Sequence, residues 1–158
     1  MDAVGITFSS RPLMDHFEEG DPECGSKHRE RGHVQLIDRV YAAIGSGDSE
    51  TLLQLLTPDA SLTIEGFLDM DGRWEGAANI LAACGRNFAL VEGQQVSIER
   101  VCAQGDQLII LFQETGRQRS SGEIYDAHVV QWFHLADGRI DSIREIAVTK
   151  TMSADSRT

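Results

Sequence analysis

Apolar residues return at every third or fourth position from Val34 to Ile44, through Ile37, Val40 and Tyr41, and the pattern stops at Gly45-Ser46-Gly47. That spacing predicts an amphipathic helix with one buried stripe, starting near His33. Asp48 or Ser49 can cap a second, shorter helix over Glu50 to Leu56, which Thr57-Pro58-Asp59 ends. The period then drops to two. Leu62 and Ile64 fall on one side of a strand from Ala60 to Glu65, with Ser61 and Thr63 on the other. After a loop at Asp71-Gly72-Arg73, a third helix is expected from Ala77 to Leu90, with Ile80, Leu81, Cys84 and Phe88 on its apolar side. From Val96 to Val148, three turn-forming clusters separate four segments rich in β-branched and aromatic residues: Gln104-Gly105-Asp106, Arg119-Ser120-Ser121-Gly122 and Ala136-Asp137-Gly138. Strands joined in this way form an antiparallel meander. Helix, helix, strand, helix and four strands make an α+β layout.

Residues 1–32 carry no sustained period and contain Gly20-Asp21-Pro22 and Cys24-Gly25, so an irregular N-terminal extension is expected there. The ordered domain is expected over 33–149, with a flexible tail over 150–158. Within the third strand of the meander, one alternate set is Tyr125, Ala127, Val129, Gln131, Phe133 and Leu135. The other is Ile124, Asp126, His128, Val130, Trp132 and His134. An acid and two imidazoles interleaved with Val and Trp suit the wall of a ligand pocket, which makes this second set the candidate functional face.

The chain has 158 residues, 41% hydrophobic and 25% charged, enough for one soluble domain with a core. Its formal net charge of −11 repels phosphate backbones and anionic bilayers, which disfavours nucleic-acid and membrane partners. No apolar run reaches the length of a membrane span, and no charged-then-apolar leader opens the chain. Cys24, Cys84 and Cys102 are odd in number and widely spaced. They read as reduced thiols of a cytoplasmic protein, two of them buried, and not as a zinc site or a disulfide framework. Phosphate-binding Gly loops, Gly-x-Ser-x-Gly elbows and His-Glu-x-x-His helices are missing from the sequence.

Three stretches taken together, Val40 to Gly66, Gly72 to Ile80 and Trp132 to Glu145, resemble the nuclear transport factor 2-like superfamily, in its SnoaL-like and ketosteroid-isomerase-like group. The resemblance covers residues 33–149. It implies a cone-shaped fold in which a curved antiparallel sheet wraps around three helices and encloses a pocket. Isomerases, dehydratases, cyclases, hydrolases and non-catalytic binding modules share that fold, so activity has to be argued from the site. The positions that match the isomerase's catalytic aspartate, tyrosine and second aspartate are Ile64, Val40 and Val130, all apolar here. Steroid isomerisation by that mechanism is therefore not expected.

The same alignment turns Val130 toward the pocket, and with it Asp126, His128 and Trp132. On the last strand it turns Ile143, Glu145 and Ala147 inward. The expected catalytic set is His128 as acid or base, Asp126 or Glu145 as its support, and Tyr41 as a hydrogen-bond donor from the first helix. Plainer alternatives stand beside them: a core histidine, a solvent-facing Asp126, a Glu145 paired with Arg144, Arg139 or Arg100, and a packing Tyr41. Trp132, Val130, Ile64, Val40, Trp74 and Ile143 are the expected substrate contacts, although packing is the commoner use of a residue such as Trp74. No metal and no cofactor is expected. The functional expectation is cofactor-free proton transfer (isomerisation, dehydration or aldol-type cyclisation) on a small hydrophobic or aromatic metabolite. The alternative is a non-catalytic binding or interaction module. Tyr125, Val129 and Phe133 would then lie on the outer sheet face and form a homodimer.

Overall fold

The computed structural model describes residues 5–8, 12–17 and 27–154. Three helices, α1 (Lys27–Ser46), α2 (Ser49–Leu55) and α3 (Ala77–Ala89), pack on one face of an open seven-stranded sheet. Its strands are β1 (Thr7–Phe8), β2 (Leu56–Glu65), β3 (Gly72–Glu75), β4 (Val91–Gln104), β5 (Gln107–Gln118), β6 (Ile124–Ala136) and β7 (Arg139–Met152). They lie side by side in the order β1-β4-β5-β6-β7-β2-β3. The layout is the α+β one expected, and β4 to β7 form the antiparallel meander. The sheet as a whole is mixed, however, because β2 runs parallel to β7 and β1 parallel to β4.

Local chemistry accounts for the helix starts. Asp48 caps α2, its carboxylate accepting from the Thr51 backbone nitrogen at 3.0 Å. α1 begins at Lys27, ahead of the apolar stripe that starts near His33. Its first turns dock through polar groups: Arg29 pairs with Asp106, and the Glu30 carboxylate accepts from the Gly105 backbone nitrogen at 3.3 Å. A turn fastened by charge leaves no apolar period in the sequence. Two described pieces of the N-terminal segment lie against the domain. Leu13 is buried, and its backbone nitrogen donates to Asp38 on α1 at 2.9 Å, while β1 adds a short strand to the sheet edge. At the other end β7 continues to Met152, which pairs with Ile124, so the ordered chain outlasts the boundary at 149.

The expected loop at Asp71-Gly72-Arg73 is instead the start of β3, paired with β2 from Ser61 to Ile64. Trp74 lies on β3, and its ring folds over Gly72, where a Cβ atom would come within 2.7 Å of it. The Arg86 guanidinium sits over the ring, 5.9 Å from its centroid. Trp74 therefore packs the sheet edge.

The core fills the space between helices and sheet. β5 contributes Leu108, Ile110 and Phe112, and β6 contributes Tyr125, Ala127, Val129, Phe133 and Leu135, all buried. The parity expected for β6 is thus reversed. Its most apolar set faces the helices, and the set holding Asp126, His128, Val130 and Trp132 faces outward, with the His128 side chain 61% exposed. Burying five apolar side chains gains far more than burying a carboxylate and two imidazoles. The outer face is therefore not lined by Tyr125, Val129 and Phe133.

Gly66 closes β2 with φ +79°, and a Cβ atom there would lie 2.2 Å from the Ala147 carbonyl oxygen. Close approach of β2 and β7 at this point requires glycine. Gly66→Ala is expected to destabilise the fold by about 2 kcal/mol or more, read as a lower urea midpoint with an unchanged slope. An unchanged midpoint would show that the two backbones do not meet there.

Candidate functional site

Between sheet and helices a cavity of about 130 Å³ remains, with walls from α1, α3 and strands β1, β2, β4, β5, β6 and β7. Its size is close to the ~150 Å³ of a cavity that takes up benzene, and below the roughly 300–1,000 Å³ of sites for drug-sized ligands. Apolar side chains dominate the walls, among them Leu62, Ile64, Phe67, Phe112, Phe133 and Ile143. Phe8, brought in by β1, stacks on Tyr41 with ring centroids 5.0 Å apart and planes 17° apart. The N-terminal segment thus forms part of the wall.

Two carboxylates enter this apolar space, each with its own amide and phenol. On the α1 side, the Tyr41 hydroxyl donates to Gln131 Oε1 at 2.5 Å, and the Gln131 amide donates to Glu145 Oε2 at 2.9 Å. On the β4 side, Gln94 Nε2 and the Tyr125 hydroxyl both donate to Glu114 Oε1, at 2.9 and 2.7 Å. Glu145 Oε1 and Glu114 Oε2 have no hydrogen-bond partner among the described residues. Gly116 makes the second arrangement possible, because a Cβ atom there would lie 2.6 Å from the Tyr125 hydroxyl.

Enclosure shifts the acidity of these groups. Burial pushes the Glu145 carboxyl up to about 7; the Gln131 amide opposes the shift and the Glu114 charge adds to it. Glu114 is raised by burial too, but two donors, Gln94 and Tyr125, hold it back. Tyr41 is raised well above the usual phenol range, first by burial and then by the Glu145 charge, so it remains a neutral donor. Burial takes the Cys84 thiol up to about 12, which keeps it protonated and inert at neutral pH. Such an arrangement can accept and return a proton near neutral pH while a neutral hydroxyl and an amide stand beside the carboxylate. Among the described residues, no group of three or more His, Cys, Asp or Glu side chains is gathered closely enough to hold a metal ion.

A family model for the SnoaL-like domain matches residues 37–143, from α1 to the middle of β7. The chain belongs to the SnoaL-like family. An uncharacterized protein of Mycobacterium tuberculosis is 27% identical over 113 residues, 71% of this chain and 86% of that protein. Among solved structures, an NTF2-like protein from Burkholderia xenovorans aligns with a TM-score of 0.68 at 26% identity, covering 75% of this chain and 90% of its own. A candidate SnoaL-like polyketide cyclase from a Jannaschia species aligns with a TM-score of 0.68 at 21% identity, covering 82% and 90%. The last of these likenesses is one of fold alone.

Within this SnoaL-like domain, Glu145, Tyr41, Ile64, Val40 and Ile143 all line the cavity. His128, Asp126, Val130 and Trp132 do not. His128 Nδ1 faces Glu99 across the outer surface at 3.8 Å, Asp126 accepts from Gln113, and the Trp132 indole donates to Gln107. Register explains the split. An unbroken hairpin around Asp137-Gly138 would pair Val130 with Glu145 and His128 with Ala147. Instead Leu135 pairs with Ile140 while His134 pairs with Ser142, and the extra residue, Asp141, shifts everything beyond it by one. Gln131 therefore opposes Glu145. Of the cysteines, Cys84 is partly buried and Cys102 exposed, against the expectation of two buried thiols; Cys24 lies outside the described residues.

Sequence reasoning missed Glu114, Gln94, Gln131 and Tyr125. One signal was available for Glu114, which ends the alternate series Leu108, Ile110, Phe112 on β5 and so shares their buried face.

Glu145 keeps its proton in the folded chain up to about pH 7, against an ordinary 4.5, so the folded state binds more protons than the unfolded one between those values. Stability therefore falls as pH rises through that window. Glu145→Gln removes the effect. Relative to the variant, the wild type is expected to lose about 2 kcal/mol of unfolding free energy on going from roughly pH 5 to 8, by urea denaturation. Parallel pH dependences for the two proteins would contradict the raised carboxyl.

Proposed function

We propose that this SnoaL-like domain is a cofactor-free proton-transfer enzyme acting on a small hydrophobic or aromatic carbonyl compound, by isomerisation, dehydration or aldol-type cyclisation. The observation that carries this reading is Glu145, a carboxylate near its ionisation point at neutral pH, with one oxygen free in an apolar cavity. Ionised, Glu145 takes a proton from the carbon beside the carbonyl. The proton rests on that free oxygen, while the Tyr41 hydroxyl rotates from Gln131 Oε1 into the cavity and donates to the oxygen on which charge develops. Returning the proton to a different carbon, or giving it to a neighbouring hydroxyl that leaves as water, completes the turnover. His128, named first from the sequence, takes no part in this scheme.

A panel of small ketones (cyclohexanone, cyclohexenone and acetophenone) tests the reading by NMR in deuterium oxide. The wild type is expected to catalyse deuterium uptake beside the carbonyl, at a rate that climbs with pH through about 7 as Glu145 ionises. Glu145→Gln is expected to lose roughly 10²–10⁴ of that rate, while His128→Ala keeps it. Equal rates in wild type and Glu145→Gln would contradict the assignment. Binding of these compounds without exchange would favour the non-catalytic module.

The outer sheet face supports a second part of the reading, a homodimer. Trp132, Ile146 and Val148 are 41%, 40% and 67% exposed, and register places them with Ile109, Leu111 and Val130 across β5, β6 and β7. A contiguous apolar face of this kind is what a second copy would cover. Light scattering after size exclusion is expected to give the dimer mass for the wild type and the monomer mass for Val148→Arg. A monomeric wild type at about 100 μM, far above the micromolar range of a modest affinity, would overturn the dimer.

A further inference from the structure

Two carboxylates share one apolar cavity, and among the described residues the side chains lining it include no Lys, Arg or His. Buried carboxylates are normally paired with a cation or neutralised by a proton. Glu114 is 8% exposed; burial raises its carboxyl, and two donors on a single oxygen, Gln94 and Tyr125, work against that rise. Its other oxygen has no partner among the described residues and is not sealed against the protein. A cationic ligand would supply the balancing charge. The walls suit one, because Phe8, Tyr41, Phe67, Phe88, Phe112 and Phe133 offer aromatic surface, which attracts cations as well as apolar groups.

We propose that the carbonyl compound taken by this cavity also carries an amine, bound as its ammonium ion to the free oxygen of Glu114, with its single-ring or branched body against the aromatic walls. The proposal rests on the reading that the cavity is the ligand site, and it names the class of ligand. Glu114 anchors the charge and Glu145 acts on the carbon skeleton. Anionic metabolites are excluded by the two carboxylates, and bulky ones by the volume of about 130 Å³. Among the described residues, the other titratable groups facing Glu114 across the cavity are Glu145 on β7, Tyr41 on α1, Tyr125 on β6 and Cys84 on α3, and none of these supplies a positive charge.

Calorimetry with three probes of one shape provides the test: cyclohexylamine, cyclohexanol and cyclohexanecarboxylate, each titrated into the full-length wild type. The amine is expected to bind at least about tenfold more tightly than the alcohol, and the carboxylate not to bind, a gap of the size expected for one charge-assisted contact. Glu114→Gln should weaken the amine about tenfold and leave the alcohol unchanged. In the wild type alone, raising the pH from about 5 to 8 should tighten the amine and leave the alcohol flat, so the proposal stays testable if the variant does not fold. Alcohol binding as tight as the amine, or no amine binding at millimolar concentration, overturns the proposal. Alcohol binding without a preference for the amine would still leave the cavity and the proton-transfer reading standing. Tight amine binding with no deuterium exchange on any ketone would leave the amine class standing and remove the catalytic reading.

Discussion

Asp141 is the one residue of β7 that no residue of β6 opposes, and its side chain is held on both sides. His134 Nδ1 lies 3.2 Å from its Oδ2, and the Thr57 hydroxyl donates to its Oδ1 at 3.4 Å. The bulge is thus pinned to β6 on one flank and to β2 on the other. Beyond it every pair of β6 and β7 is displaced by one, which brings Gln131 opposite Glu145 and Phe133 opposite Ile143 on the inner face. Without that displacement Arg144 would face the helices in place of Glu145. The inward place of Glu145 beside Gln131 follows from that one inserted residue.

Enclosing carboxylates in an apolar space is costly, and the fold carries that cost in a consistent way. Each carboxylate is backed by one glutamine and one tyrosine from neighbouring elements, so the polar groups satisfy one another on one side and stay open on the other. Unequal support separates the two acids. Burial raises both carboxyls; two donors hold Glu114 back, while Glu145, with one, is pushed up to about 7. Two like groups with different acidities in one cavity are a common basis for dividing roles between charge and proton transfer.

Much of the architecture was legible because it rests on period and punctuation. The 3.6-residue stripe of α1, the Asp48 cap and the three turn clusters of the meander each correspond to an observed feature. Elements held by polar contacts were not legible. The first turns of α1 dock through Arg29 and Glu30, and β3 is fixed by pairing with β2 and by the fit of Trp74 over Gly72. At the site, Glu145 and Tyr41 were reachable through resemblance and helical spacing. His128 was misdirected because the bulge at Asp141 leaves no composition signal, while the apolar set of β6, starting at Tyr125, already pointed to the buried face. Gln131 and Gln94 escaped because an amide on an apolar face gives no period and no motif. Their meaning appears only once the carboxylates they support are in place.

The central claim is that a SnoaL-like cavity holds Glu145 ready to exchange a proton at neutral pH. A carbon-detected NMR titration of the Glu145 side-chain carboxyl measures this directly, with Glu145→Gln used to assign the signal. A midpoint at about 7 is expected. A midpoint at the ordinary 4.5 would mean that the carboxylate is solvated, and the proton-transfer role would fall with it.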